Sequence, residues 1–356
     1  PSFASPTPSP PLFDSITAHV SRFQTVVRCS ETALAVAPEP APSVYLPCIR
    51  SGSFADIGTR RTMEDEHIRI DDLSSCLGPS SDWASASFYA VFDGHGGSAA
   101  ASHVKRNALR LFFEDAELPH TSTIDSDFLD QLVSCHRKAF LLADAALAAE
   151  SSVSSTCGTT ALTALVIGRH LLIANAGDCR AVLCRKGVAV DMSQDHRPSH
   201  LPERERVVKA GGYVDEEDYV NGELSVTRAL GDWYMKLPFG SVSPLIADPD
   251  VRQVMLTEDD EFLIICCDGI WDVLSSQAAV SLVRRGLRRH NDPDLCAREL
   301  VMEASRLDSN DNLTAVVVCF SSPKSSESCP PQRRRLRFSS LSEEARSRLK
   351  SLMEGN

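Results

Sequence analysis

The sequence predicts an α+β fold in which antiparallel sheets and pairs of helices form separate layers. Two observations favour this class. Short apolar runs are separated by turn dipeptides such as Gly168-Arg169 and Gly177-Asp178, which is the pattern of β-hairpins. The amphipathic helical stretches occur in two groups, whereas a parallel βαβ sheet would place one helix after each strand. We therefore expect antiparallel sheets with helices segregated to other layers.

The individual elements follow from local patterns along the chain. Alternating or continuous apolar runs predict strands, and apolar residues spaced three or four apart predict helices. Strands are expected at 54–58, 67–70, 88–92, 160–167, 171–175, 181–184, 262–267 and 313–320. Helices are expected from 99, from about 128, and at 203–210, 278–287 and 295–305. The third of these helices should end at Gly211-Gly212.

Composition limits the class of protein. The 356 residues suit one large domain or two ordinary ones, and 43% apolar residues can form a sizeable core. The formal net charge of -12 at pH 7 opposes general binding to nucleic acid, whose phosphates require a basic surface. No apolar stretch reaches the length that spans a bilayer. We expect no nucleic-acid partner, no membrane partner and a monomer.

The cysteines indicate a reducing compartment. The chain has twelve cysteines and no CxxC pair, which argues against a zinc site or a redox dithiol. Several of them lie inside apolar runs, as Cys184, Cys266, Cys267 and Cys319 do. Residues 1–11 also lack the basic start and apolar centre of a signal peptide. We expect a cytoplasmic or nuclear protein, or one present in both compartments.

Three regions differ in composition. Residues 1–45 are interrupted by prolines and are predicted to be a weakly ordered extension, whereas the organised domain covers 46–322. Residues 323–356 are rich in Ser, Pro and Arg and contain the basic run RRRLR at 333–337. We interpret this region as a solvated tail in which 342–353 could form a short helix. A nuclear signal or an anion-docking patch is the alternative.

The most informative stretch surrounds one histidine. The apolar run Phe88-Tyr89-Ala90-Val91-Phe92 predicts a buried strand that stops at Asp93. Three glycines then flank His95 before a run of alanines that can open a helix. Glycines allow a sharp turn and a close approach of a ligand to the backbone. The turn therefore presents a carboxylate, an imidazole and bare backbone, which is typical of a catalytic turn.

Two other interpretations of this turn remain open from the local pattern. Gly94-x-Gly96-x-x-Ala99 fits the dinucleotide-binding fingerprint. Against it, Asp93 would lie where a pyrophosphate must bind, and 116–125 is turn-like where a second parallel strand is required. An ordinary strand-turn-helix corner is the other alternative. An acid-rich metal site is the interpretation we favour.

Carboxylates recur close to predicted strands, and several of them lie where an apolar strand stops. They are Glu64 with Asp65, Asp93, Asp178, Asp268 with Asp272, and Asp311. Ends of different strands can converge, and clustered carboxylates repel one another unless cations neutralise them. Oxygen ligands of this kind suit Mg²⁺ or Mn²⁺. By contrast, His196 and His200 are separated by a proline and lack the glutamate of a zinc helix, so we interpret them as loop residues.

Eight motifs, in this order, resemble those of metal-dependent protein serine/threonine phosphatases of the protein phosphatase 2C (PP2C) type. They are GTRRTMED (58–65), FDGHGG (92–97), CGTTA (157–161), NAGDCR (175–180), DHRP (195–198), LSVTRALGD (224–232), CDGIWDV (267–273) and SNDN (309–312). The set spans about 46–322, and the lead-in at 46–53 resembles higher-plant members. Segment 214–224 lacks the tryptophan of the abscisic-acid co-receptor group, which implies a member outside that group.

The resemblance implies a PP2C-like four-layer α-β-β-α sandwich with two central antiparallel sheets flanked by helix pairs. It implies phosphorylated proteins as substrates and Mg²⁺ or Mn²⁺ as cofactor, with two ions per active site and a weaker third. Asp93 would bridge the two main ions. The other implied ligands are the carbonyl of Gly94 and Glu64 on one side, Asp268 and Asp311 on the other, and Asp178 and Asp272 for the third ion.

The resemblance also implies three catalytic residues. Arg60 would bind the phosphate, Asp65 would orient bound waters, and His95 would protonate the departing serine or threonine oxygen. A water bridging the two ions would attack phosphorus. A catalytically inactive relative that binds phosphoproteins without hydrolysing them is the alternative function.

Overall fold

The computed structural model describes residues 45–77, 86–114, 124–236 and 242–321. The strands are β1 (Arg50–Asp56), β2 (Glu66–Ile70), β3 (Ala86–Phe92), β4 (Gly94–His95), β5 (Gly158–Thr159), β6 (Ala161–Ile167), β7 (His170–Ala176), β8 (Arg180–Arg185), β9 (Val188–Asp191), β10 (Leu230–Gly231), β11 (Asp250–Met255), β12 (Asp260–Cys266) and β13 (Leu313–Cys319). The helices are α1 (Ser74–Leu77), α2 (Ala99–Leu109), α3 (Ser126–Ala149), α4 (Leu201–Lys209), α5 (Trp233–Lys236), α6 (Asp268–Trp271), α7 (Ser276–His290) and α8 (Pro293–Arg306). A π-helical turn (Arg110–Glu114) extends α2.

Two antiparallel five-stranded sheets form the centre. The first sheet has the order β11-β7-β6-β3-β2, and the second has the order β1-β13-β12-β8-β9. Helices α2 and α3 share an apolar cluster with the first sheet, and α7 and α8 share another with the second. A third cluster lies between the sheets. The predicted four-layer α-β-β-α sandwich is therefore confirmed.

Side-chain alternation explains how each strand serves two layers. In β3, Phe88 and Phe92 face the α2 and α3 layer, whereas Tyr89 and Val91 face the second sheet. Every residue of β3 is buried because both faces of the strand are covered. This is why the strand is a continuous apolar run in the sequence instead of an alternating one.

The dinucleotide-binding alternative is excluded by the pairing of β3. Its neighbours β2 and β6 both run antiparallel to it. A dinucleotide site needs a parallel strand that follows the helix beside the first strand. Here the two-residue strand β4 pairs with β5 in a separate small sheet of order β10-β5-β4.

One expectation about the strands needs correction. The runs at 160–167, 171–175 and 181–184 were predicted as successive hairpins, and the first two do pair as β6 and β7. Strand β8 instead lies in the second sheet beside β12. Gly177 makes the crossing with φ +125, and a Cβ there would lie 2.4 Å from the Cβ of Thr160. The crossing places Asp178 at the junction of the two sheets.

The other predicted elements are confirmed within a few residues. Helix α3 begins at Ser126, where the Asp125 carboxylate accepts a hydrogen bond from the backbone N–H of Phe128 at 2.9 Å. The cysteines that lie inside apolar runs, Cys184, Cys266, Cys267 and Cys319, are buried. Within the described part of the chain, no helix is both long and apolar enough to cross a membrane. Residues 1–44 and 322–356 lie outside the described residues, so the boundaries proposed for the extension and the tail stay predictions.

Candidate active site

The strand ends converge on one cavity of about 250 Å³ at an edge of the sandwich. It lies where β3 gives way to β4, where β7 crosses to β8, and where β12 leads into α6. Of the residues predicted for the site, the cavity is lined by Arg60, Glu64, Asp93, Gly94, His95, Asp178, Asp268 and Asp311. Asp65 lies deeper in the protein, and Asp272 lines an adjoining groove. The tertiary structure thus brings all the predicted site residues into one region.

Four carboxylates form the centre of the site. One carboxylate oxygen from each of Asp93, Asp178 and Asp268 lies within 4.8 Å of the others. Asp65 and Asp93 form a second such group together with the thiol of Cys267. Asp65 is further held by the Thr314 hydroxyl, which donates to Oδ2 at 2.7 Å. We call Asp65, Asp93, Asp178 and Asp268 the central carboxylates.

The central carboxylates have raised pKa values. Burial, followed by repulsion from neighbouring carboxylates, raises the pKa of Asp93 well above its usual value. Burial raises the pKa of Asp178 to about 7 and that of Asp65 to about 6, despite hydrogen bonds that favour ionisation. Burial and the negative charge of Asp272 also raise the pKa of Asp268. Carboxylates held in this state need positive charge, and the donor set fits Mg²⁺ or Mn²⁺.

Arg197 supplies part of that positive charge. Its guanidinium donates to Asp178 Oδ2 at 2.9 Å, to Asp268 Oδ2 at 3.0 Å and to Asp272 Oδ1 at 2.9 Å. Asp93 and Asp65 have no ion pair with Arg197. The arginine therefore compensates the side of the site predicted to hold the third ion.

Glu64 is positioned by the chain segments around it, including the one that contains Asn312. The Glu64 carboxylate accepts hydrogen bonds from the Thr62 hydroxyl at 2.8 Å and from the backbone N–H of Gly97 at 3.0 Å. Asn312 accepts from the backbone N–H of Glu64 at 2.7 Å. Asn312 also donates to two carbonyls of the 57–62 segment, which ties the first and last strands together at the site.

Arg60, the predicted phosphate ligand, lies on the rim of the cavity. Its Nη2 contacts Asp311 Oδ2 at 2.6 Å, and its Nε donates to the Asn310 carbonyl at 3.2 Å. The arginine side chain is 57% exposed, so its planar fork can reach an anion that enters from solvent.

His95 has a carboxylate partner of its own. Its Nε2 lies 2.7 Å from Asp232 Oδ2. Asp232 is buried, whereas the histidine side chain is 27% exposed and lines the cavity. His196 and His200 lie in the loop before α4, as predicted, and His196 contacts Asp250 instead of the central carboxylates.

Comparisons with known proteins agree with this geometry. The sequence model of the protein phosphatase 2C family matches residues 49–313. The chain belongs to the protein phosphatase 2C family. It is 59% identical over 340 residues to "Probable protein phosphatase 2C 13" of Arabidopsis thaliana, which covers 95% of this chain and 87% of that protein. It is 60% identical over 322 residues to "Probable protein phosphatase 2C 2" of Oryza sativa subsp. japonica, covering 88% and 83%.

The fold is also found in solved structures. The serine-threonine phosphatase 2C from Toxoplasma gondii matches with a TM-score of 0.62 and 23% identity, covering 79% of this chain and 98% of that one. A sex-determining protein of C. elegans matches with a TM-score of 0.66 and 24% identity, covering 77% and 65%. The predicted enzyme class is confirmed, and the chain is a metal-dependent protein serine/threonine phosphatase of plant type.

Sequence reasoning gave no role to two important residues of the phosphatase. Arg197 stands in the DHRP motif and Asp232 ends the LSVTRALGD motif, so both were recognised only as parts of a resemblance. The signal that could have indicated a role for Arg197 was its place as a basic residue among motifs rich in acids. For Asp232 there was no local signal, because its partner lies 137 positions away in the sequence.

A surface flap borders the cavity. This flap is segment 214–224, a compact irregular turn in which backbone bridges join Val214 to Val220 and Val220 to Leu224. Tyr219, Glu223 and Leu224 line the cavity from this side. The flap therefore forms one part of the cavity wall.

Proposed function

We propose that this phosphatase hydrolyses phosphoserine and phosphothreonine in proteins with two Mg²⁺ or Mn²⁺ ions held by the strand-end carboxylates. The observation that carries the proposal is the approach of Asp93, Asp178 and Asp268 to within 4.8 Å in a partly buried setting that opposes their ionisation. Such an arrangement costs free energy unless cations bind. The cavity also joins these acids to an arginine and a histidine.

The residues would divide between two sides of the site. Asp93 is central to both carboxylate groups and would be shared by two ions. Glu64 and the Gly94 carbonyl would complete one side, and Asp268 and Asp311 the other. Asp178 and Asp272 would hold a weaker third ion in competition with Arg197. When bound, the ions would supply an activated water at neutral pH and neutralise phosphate charge.

The remaining roles fall to side chains of the chain itself. Arg60 would bind the phosphate oxygens in its planar fork, exchanging part of its contact with Asp311 for the substrate. Asp65 would orient water from its buried position beside Thr314. His95 would give a proton to the departing serine or threonine oxygen.

The metal role is tested with Asp268→Ala and a matched carboxylate outside the site. Asp259 is half exposed and pairs with Lys186, so Asp259→Ala removes one carboxylate without touching the cavity. We expect Asp268→Ala to lose nearly all phosphopeptide turnover and to bind Mn²⁺ more weakly by calorimetry, whereas Asp259→Ala keeps both. Full turnover of Asp268→Ala in the presence of a chelator would refute the proposal.

The same measurement decides the alternative function. An inactive relative would bind a phosphopeptide without releasing phosphate at saturating Mn²⁺ or Mg²⁺. Release of phosphate by the unmodified chain, abolished by chelation and restored by either ion, favours the enzyme. The predicted monomer is tested by light scattering, and the cytoplasmic or nuclear location by imaging of the tagged full chain.

The role of His95 is tested by comparing two leaving groups. A serine alkoxide needs a proton to depart, whereas nitrophenolate leaves readily without one. General acid catalysis contributes about 10²- to 10⁴-fold, so His95→Gln should lower phosphoserine-peptide turnover by that range. Nitrophenyl phosphate hydrolysis should fall far less. Equal losses on both substrates would show that His95 donates no proton.

A further inference from the structure

The partner of His95 is a carboxylate that stands apart from the central carboxylates. Asp232 is 1% exposed, and among the described residues His95 is the one side chain that hydrogen-bonds to it. The other buried acids outside the centre, such as Asp144 and Asp260, pair with a lysine or an arginine. A buried carboxylate that contacts a cavity-lining histidine is thus an exception among the buried acids that the structure describes.

The backbone around Asp232 is fixed by the small sheet. Strand β5 lies between β4, which ends at His95, and β10, which ends at Gly231. The N–H of Asp232 donates to the carbonyl of Cys157 at 3.0 Å. A Cβ on Gly158 would lie 1.9 Å from Asp232 Oδ2 and 2.5 Å from His95 Nε2, so the two side chains meet directly over a glycine. The small sheet brings the carboxylate and the imidazole together.

A second buried ion pair supports the same segment from α3. Asp144 Oδ1 accepts from the backbone N–H of Gly231 at 2.7 Å and from Lys236 Nζ at 2.8 Å. Lys236 also donates to the Ala229 carbonyl at 2.8 Å. Residues 229–236 are therefore held from both sides. Asp232 itself has φ +50, which asparagine and aspartate tolerate better than most residues.

We propose that Asp232 is a positioning residue that holds the His95 imidazole with Nδ1 toward the substrate. The proposal rests on the proposed role of His95 as proton donor. Since Nε2 is occupied by the carboxylate, Nδ1 is the nitrogen left for the substrate. As water attacks phosphorus, the bond from phosphorus to the serine oxygen breaks and the Nδ1 proton passes to that oxygen. The ring then keeps its other proton on Nε2, hydrogen-bonded to Asp232.

The hydrogen bond between Asp232 and His95 can control two properties of the imidazole, its direction and its protonated nitrogen. A carboxylate fixes both the direction of the ring and the nitrogen that carries the retained proton. A carboxamide of the same size keeps the volume but offers either an acceptor or a donor to Nε2. Loss of a fixed tautomer is the reason that the equivalent change is costly in a serine-protease triad. Asp232→Asn is therefore the informative variant, because it leaves the packing against Gly158 in place.

The test measures Asp232→Asn on two substrates with saturating Mn²⁺. We expect turnover of a phosphoserine peptide to fall about 10- to 100-fold, a range similar to that for carboxylates that orient metal-binding histidines. Hydrolysis of nitrophenyl phosphate should change little, and Mn²⁺ affinity should stay the same. The matched control is Asp308→Asn, since Asp308 is exposed and has φ +59. This control should keep both activities.

A double variant separates positioning from a merely structural role. In a His95→Gln background, adding Asp232→Asn should cause no further loss on the phosphoserine peptide, because Asp232 acts through the missing ring. Equal loss on both substrates, or full additivity in the double variant, would overturn the proposal. Asp232→Ala and thermal unfolding check whether a loss reflects misfolding.

The outcomes also separate this proposal from the one on which it rests. If His95→Gln is selective for the phosphoserine peptide but Asp232→Asn is not, the positioning role is wrong and the proton donor stands. If His95→Gln itself lowers both substrates equally, the proton donor and the positioning role both fail.

Discussion

Two clusters of carboxylates in this phosphatase have opposite electrostatics. The central carboxylates have acids as their main neighbours, and their pKa values are raised. Glu203 of α4 is nearly inaccessible, as Asp65 and Asp178 are, but its oxygens contact Arg228 at 2.6 Å and Arg206 at 3.0 Å. Burial alone would raise the pKa of Glu203, whereas these arginines and the Thr227 hydroxyl lower it to about 2.

The Glu203 cluster continues to a second acid. Asp250 of β11 contacts Arg228 at 2.8 Å and His196 at 3.1 Å, and these hydrogen bonds lower its pKa. This cluster contains its own cations, and it joins α4 to the segment that follows the flap. The central carboxylates have Arg197 on one side and otherwise depend on cations from solution. The comparison teaches that burial of an acid does not identify a metal site, whereas the sign of its neighbours does.

The largest expected difference between variants of the two clusters is in turnover. Asp93→Asn should lower phosphopeptide turnover by about 10³-fold or more, because several kcal/mol of transition-state stabilisation come from a bound metal ion. Glu203→Gln should retain most activity at a temperature where it is folded, because Glu203 does not line the cavity. Similar losses in the two variants, measured at saturating Mn²⁺, would contradict the division into two clusters.

The next difference is in stability without metal. Glu203→Gln should lower the free energy of unfolding by about 2–4 kcal/mol, because Arg206 and Arg228 lose a charged partner. Asp93→Asn should raise the free energy of unfolding, since it removes one of several repelling acids. Denaturant titrations at pH 8 in chelator measure both changes. A destabilised Asp93→Asn protein would show that the central carboxylates do not repel one another.

The two clusters should also respond to pH in opposite directions. Asp65 and Asp178 have folded pKa values of about 6 and about 7 against a reference of 3.8, so their contribution is greatest at low pH and is lost as pH rises through about 7. Glu203 has a folded value of about 2 against 4.5, so its contribution is present above 4.5 and is lost as pH falls through about 2.

Melting temperatures across pH test this expectation. In chelator, stability should decline between pH 4 and pH 7, and saturating Mn²⁺ should abolish the decline because cations favour the ionised carboxylates. The Glu203→Gln variant is the control and should alter only the acidic limb. A chelated protein that gains stability from pH 4 to pH 7 would contradict the raised pKa values.

The smallest effect is expected from removing the terminal regions. A shortened chain covering residues 42–323 keeps both clusters and every residue lining the cavity. We expect its turnover of a small phosphopeptide to match that of the full chain at equal Mn²⁺. Loss of soluble or active protein on shortening would show that a terminal region completes the domain.

The sequence by itself determined most of the elements and the identity of the acids. Apolar runs that end at a carboxylate mark β3 and β12, because a strand covered on both faces has no polar positions until it leaves the core. Helices α3, α7 and α8 followed from apolar spacing alone, and the structure adds that Asp125 and Ser275 cap the first turns of α3 and α7. These signals are local, and local signals can be read without the fold.

Only the tertiary structure decided which charges meet. The crossing at Gly177 moved β8 into the second sheet, and with it Asp178 reached Asp93 and Asp268. Arg197 pairs with three carboxylates, and Asp232 hydrogen-bonds to His95. Both sets of contacts join segments that are distant in the sequence. The sequence shows each acid alike, but a carboxylate's protonation depends on the charges within a few ångströms of it. That neighbourhood exists only when the two sheets are packed together.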